Sequence, residues 1–129
     1  MKIYTFLILV FVLVACGGNE PNATVDDALA SFGAAGLDTS SCEDWTVGDS
    51  PVPNTFTAAQ YCTQEDGNTY RVFSFDSASD LAAVRDYYGA FTGAFASYLY
   101  ENDNLLFQAS VDMPKAAAEQ YQSTFESVE

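Results

Sequence analysis

The chain has 129 residues, with 18 Asp and Glu against 4 Lys and Arg, no His, and a formal net charge of −14. So few cations exclude a nucleic-acid binder, which needs Lys and Arg to neutralise phosphates, and the missing His excludes a Ser-His triad and an imidazole metal site. With 49% hydrophobic and 15% aromatic residues the chain is expected to fold, and its length suits one small domain.

Lys2 precedes an apolar run from Ile3 to Ala15, broken by Thr5. A bilayer-spanning helix needs roughly 20 apolar residues, so this run is too short. A cation, a short apolar core and small residues after it read as a secretory signal. A buried first helix is the competing reading. The run ends in Leu13-Val14-Ala15-Cys16, which resembles the lipobox of bacterial lipoproteins. That resemblance implies a signal peptide over residues 1–15 and a new N-terminus at Cys16. It also implies acylation of Cys16, with palmitate among the chains. Two or more acyl chains hold a protein stably on a membrane. The expected address is the cell envelope, extracytoplasmic, on the outer membrane or the cell surface depending on the host. Residues 16–23 are then the lipidated cysteine and a flexible tether, and residues 24–129 form a single domain.

Thr24 and Asp27 occupy capping-box positions, and Ala28, Leu29, Phe32 and Ala35 recur at helical spacing. A helix is predicted from about 25 to 35, ended by Gly36 in a left-handed cap with Leu37 after it. Residues 38–55 are irregular, and Pro51 and Pro53 forbid a helix or a central strand there. A short strand is predicted near Cys42–Val47, with Trp45 over one edge of the core. Cys42 and Cys62 in an exported domain predict a disulfide. It closes a loop of about 20 residues, worth roughly 3 kcal/mol in the chain-entropy model. Buried free thiols are the alternative.

Phe56–Gln64 and Thr69–Phe75 read as a hairpin turning at Asp66-Gly67. A two-residue turn there places Cys62 near Arg71, Gln60 near Phe73 and Ala58 near Phe75. Phe73 and Phe75 then share the core face, and Tyr61, Tyr70 and Val72 share the other. Ser77 and Asp80 open a second helix with Leu81, Val84, Tyr88 and Phe91 on one face, and Gly89 and Gly93 end or loosen it. Ser97–Tyr100 and Leu105–Val111 form a second hairpin around Glu101–Asn104, its register left open by the loop length. Asp112-Met-Pro114 opens a last helix whose stripe is Ala117, Ala118, Tyr121 and Phe125. The predicted fold class is α+β in the order α-β-β-β-α-β-β-α. An antiparallel sheet of about five strands carries helices mainly on one face.

Three stretches carry a wider resemblance. They are Ala35-Gly36-Leu37, then Phe73-Ser-Phe-Asp76 running into Leu81 and Tyr87-Tyr88, then Asn104-Leu-Leu-Phe-Gln108 followed by Pro114, Ala118 and Tyr121. Over residues 24–127 the chain resembles a group of small bacterial lipoproteins of unknown function. That group shares an Ala-Gly-Leu, a Phe-x-Phe strand and an Asn-x-Leu-x-Gln strand before a helix. The resemblance implies a fold and an address and supplies no functional residues.

Candidate chemistry is sparse. The acid pairs Asp26-Asp27, Glu43-Asp44 and Glu65-Asp66, with Glu101–Asn104, offer oxygen ligands for a hard cation. Capping and turn chemistry explains each of them. No catalytic residue, cofactor or metal site is expected, and the chain reads as a non-enzyme. Tyr87, Tyr88, Tyr98 and Tyr100 could line a pocket for an apolar or cationic ligand. Arg71 either pairs with a neighbouring acid, the favoured reading, or anchors an anionic ligand. The acid excess serves solubility in salt or attracts a basic partner. The expected function is an envelope lipoprotein presenting a small acidic domain to a protein partner. The alternative is a non-enzymatic binder of a small ligand or cation. The expected partners are thus the membrane, through Cys16, and an envelope protein, with no nucleic acid.

Overall fold

A computed structural model describes residues 22–129. The expected signal peptide, Cys16 and the expected tether up to residue 21 lie outside the described residues. Thr24 opens helix α1 (Val25–Ala34) through a full capping box. The Thr24 backbone N–H donates to Asp27 Oδ2 at 2.8 Å, and the Asp27 N–H donates to Thr24 Oγ1 at 3.1 Å. Gly36, at φ 78°, ends the helix and lets the Leu37 N–H reach back to the Phe32 carbonyl at 2.9 Å.

Five strands follow in one antiparallel sheet ordered β1-β2-β3-β5-β4. They are β1 (Cys42–Asp44), β2 (Ala58–Thr63), β3 (Thr69–Ser74), β4 (Ser97–Asn102) and β5 (Leu105–Ser110). Helix α2 (Ala78–Gly89) joins β3 to β4, and α3 (Lys115–Phe125) follows β5. The element order is the α+β succession expected from the sequence. Cys42 and Cys62 face each other across β1 and β2 with Cα atoms 4.1 Å apart, and they form a disulfide. The bridge staples a three-residue edge strand that makes few ladder bonds of its own.

The first hairpin differs from expectation by one residue. Ala58 pairs with Ser74, Gln60 with Val72 and Cys62 with Tyr70. The turn is longer than Asp66-Gly67. The Gln64 N–H donates to the Asn68 carbonyl, the Gly67 N–H donates to the Gln64 carbonyl, and Gly67 sits at φ 88°. A type I turn followed by a left-handed residue makes a three-residue loop, which shifts the pairing by one. Phe73 and Phe75 do share a face, but Tyr61 joins them, while Tyr70 and Val72 face the opposite way with Cys62. The second hairpin turns tightly at Asp103-Asn104, with Asp103 at φ 54°.

Both faces of the sheet are covered. Helices α1 and α3 lie on one, where Phe32, Tyr70, Phe107, Tyr121 and Phe125 form a continuous aromatic core. Phe32 is fully buried, edge-on to Tyr70, Phe107 and Tyr121. Burying a side chain of its size contributes about 1.5–3 kcal/mol. The hydroxyls of Tyr70 and Tyr121 both donate to the Asp38 carbonyl, at 2.8 and 3.1 Å. Burial raises both phenol pKa values above the ordinary tyrosine range, so both stay protonated donors. On the other face, α2 sets Leu81, Val84 and Tyr88 against Phe73, Phe75 and Leu106, with Trp45, Val52 and Phe56 beside them. β5 lies between the two layers, and Leu105–Ala109 are all buried.

Candidate functional site

On the α2 face of the sheet, one transverse row reads Glu43, Tyr61, Arg71, Gln108 and Leu99. Helix α2 covers the neighbouring Phe73–Leu106 row and stops at Gly89. Phe91 was expected on the helix stripe. It lies beyond the helix and is 40% exposed. A 3₁₀ turn at Gly93–Phe95 then leads the chain into β4, and Phe95 is 79% exposed. Because the helix ends early, a cavity of about 300 Å³ remains over the Arg71–Gln108 row. Trp45 and Val52 from the β1–β2 connection wall one side, and Tyr88, Phe91 and Phe95 wall the other. That volume is at the small end of the range for ligand pockets, roughly 300–1,000 Å³.

The floor is polar and ordered. Arg71 Nη1 donates to Gln108 Oε1 at 3.0 Å, and Gln108 Nε2 donates to Ser97 Oγ at 2.9 Å. Gln108 is only 5% exposed, so its amide is fixed by these two bonds rather than by water. The Arg71 guanidinium carbon lies 4.9 Å from the Trp45 ring centroid and 4.7 Å from that of Tyr61. Cation–π contacts of this kind hold a guanidinium in place, at about 0.5–2 kcal/mol each. Arg71 Nε is buried and has no hydrogen-bond partner. Tyr88 lines the same cavity. Burial lifts its phenol pKa, with the Arg71 charge pulling the other way, so it too remains a donor.

The three described cations behave differently. Arg85 pairs with Asp86 at 3.0 Å and Glu101 at 2.9 Å, and its pKa rises, chiefly through the hydrogen bond to Glu101. Lys115 reaches Glu119 at 3.6 Å on α3. Arg71 was expected to pair with a neighbouring acid. Among the described residues no carboxylate pairs with it.

The acidic clusters are used locally. Asp27 caps α1, Asp66 accepts from Asn68 in the hairpin turn, and Asp44 accepts from Gln60 Nε2. Among the described residues no three His, Cys, Asp or Glu side chains gather as metal ligands would. Asp38 accepts from Ser40 N–H, Ser40 Oγ and Glu65 N–H, which lowers its carboxyl pKa. Of the four tyrosines proposed for one pocket, Tyr87 and Tyr88 line the cavity. Tyr98 and Tyr100 point to the opposite face and pack against the α1–α3 core. A larger groove of about 650 Å³ runs on the far side of Trp45, past Asp26, Asp44 and Gln60, and no Lys or Arg lines it.

The sequence reading passed over Phe95 and named Gln108 only as a motif position, giving it no role in a site. Neither carries a local signal of exposure or of a buried polar role, and both depend on where α2 ends. Among the described residues no helix is long and apolar enough to cross a membrane. The chain matches no protein-family model, no curated protein and no solved structure.

Proposed function

We propose that this chain is a non-catalytic binding module of the cell envelope, anchored through a lipidated Cys16, and that the cleft over Arg71 is its binding site. The observation that carries this reading is the aromatic cavity left open where α2 stops, with Phe91 and Phe95 exposed at its rim. Exposed aromatics beside an ordered polar floor are how small-molecule sites combine affinity with orientation. The floor presents hydrogen-bond donors and acceptors rather than a nucleophile beside a base, and no His is present to activate one. An arginine in the cleft disfavours the cationic ligand that tyrosines alone suggest. The membrane address rests on Lys2, the apolar run Ile3–Ala15 and the Leu13–Cys16 pattern, the features in which the chain resembles the signal of bacterial lipoproteins.

Thermal-shift screening of the protein against neutral and charged aromatic small molecules tests the cleft. Saturable stabilisation with stoichiometry near one, weakened by Phe95→Ala, is expected. Stabilisation untouched by Phe95→Ala refutes the location. Detergent-phase partitioning tests the address, because Cys16→Ala should leave the detergent phase and wild type should not. A second reading is protein docking through the exposed Phe95. It predicts one partner recovered near equal stoichiometry by crosslinking in the native cells, and loss of that partner with Phe95→Ala.

A further inference from the structure

We infer that the occupant of this cleft presents a carboxylate to Arg71, carried on a small apolar or aromatic body. The inference rests on the cleft being a binding site and adds the chemistry of what binds there. Three observations converge on it. Arg71 is the one described cation without an acidic partner, although the chain carries 18 Asp and Glu. A fold with this acid excess readily supplies a counter-charge, as Arg85 and Lys115 show. Arg71 is instead held by the neutral Gln108 and by two ring faces, with Nη1 occupied and Nε buried and unpartnered. A guanidinium fixed in this way offers the cleft the donors that neither Gln108 nor burial takes up; Nε, closed off from the cleft, is not among them.

The second argument is the match of shape and charge. A carboxylate is planar and accepts charge-assisted N–H bonds from a guanidinium edge. It also brings a single negative charge. A dianionic phosphate would bring more charge toward a surface whose formal net charge is −14, and would be repelled more strongly. The third argument is the wall. Trp45, Tyr88, Phe91 and Phe95 surround the site, and its 300 Å³ hold about ten water volumes. A free aryl- or alkyl-carboxylic acid fits this description, and so does the C-terminal carboxylate of a peptide ending in an apolar residue.

Trp45 is the only tryptophan and lines the cleft, so its emission reports directly on occupancy. Full-length protein in a mild detergent, against detergent-only blanks, is titrated with four probes. These are 3-phenylpropionate, the isosteric 3-phenylpropionamide, the dipeptide Ala-Phe, and Ala-Phe amide. Each acid should bind saturably and at least about tenfold more tightly than its amide, as expected for losing one charge-assisted hydrogen bond. Arg71→Gln should abolish that preference. Arg71→Lys, which keeps the charge and loses the guanidinium edge, should keep part of it. Thermal melts establish that each variant is folded, and Arg71→Lys serves if Arg71→Gln is not. Phe95→Ala should weaken acid and amide by the same factor. Preference for 3-phenylpropionate over Ala-Phe identifies a free acid as the source, and the reverse identifies a chain terminus. Equal binding of acid and amide to wild type overturns the carboxylate while the cleft stands. No saturable response to any probe overturns both.

Discussion

Replacing Gln108 with leucine removes the side chain that accepts from Arg71 and fills the space with a group that cannot. Gln108 is buried on the interior strand β5 and holds Arg71 Nη1 at 3.0 Å, so the guanidinium would lose its acceptor inside the sheet. A hydrogen bond to a charged group contributes about 1.5–3 kcal/mol, and the added apolar contact of leucine offsets part of the loss. A net cost of about 1–3 kcal/mol is expected, which lowers Tm by on the order of 10 °C in a domain of this size. Arg71→Met should cost a similar amount by orphaning Gln108 Oε1. Removing both partners should be milder than the sum by about 1–2 kcal/mol, because neither is then left buried and unpaired. Urea unfolding of wild type, both single variants and the double variant measures this, followed by far-ultraviolet circular dichroism to avoid local changes at Trp45. Additivity of the two substitutions within about 0.5 kcal/mol refutes the idea that Gln108 is there to hold Arg71.

Phe32→Ala should cost about 3–5 kcal/mol, the usual result of deleting a fully buried ring, and thermal melts should show a large loss of Tm. Replacing both Cys42 and Cys62 by serine should cost roughly 3 kcal/mol in the chain-entropy model, visible as a lower urea midpoint. Asp38→Asn should lower Tm at pH 7. The folded-state pKa of Asp38 lies below its ordinary value of 3.8, so its contribution is present above that pH and is lost as the pH falls through the folded-state pKa. The gap between wild type and Asp38→Asn should therefore narrow as the pH falls below 3.8, and a gap that does not narrow in acid would refute the assignment.

Much of the fold was legible because its signals are local. Thr24 with Asp27, Gly36 with Leu37, and the Ala118–Tyr121–Phe125 spacing act within a few residues, and the structure uses each as expected. The hairpin register was not legible, because Asp66-Gly67 serves a two- or a three-residue loop and only the closing bond from Gln64 to Asn68 decides between them. That one-residue difference moved Tyr61 to the Arg71 face. The candidate site was less legible still. Whether an arginine meets an acid depends on which strands are neighbours, and Arg71 meets Gln108 only because β5 inserts between β3 and β4. Phe91 fits a helical stripe in the sequence and falls just past the helix end in the fold.

The bridge between Cys42 and Cys62 has a consequence for recognition as well as for stability. Trp45 follows directly on β1, and its N–H continues the ladder to the Ala59 carbonyl at 3.0 Å. Cutting the bridge leaves that tryptophan held over Arg71 by the ladder bonds of a three-residue strand and by its ring contacts with Phe56 and Phe73. Reduction should therefore blunt capture of a ligand as well as loosen the α1–α3 core, in which Cys62 is buried. Full binding competence would then be acquired only after the thiols are oxidised. Titrating 3-phenylpropionate into reduced and oxidised protein of equal helix content would show this, and equal affinities would contradict it.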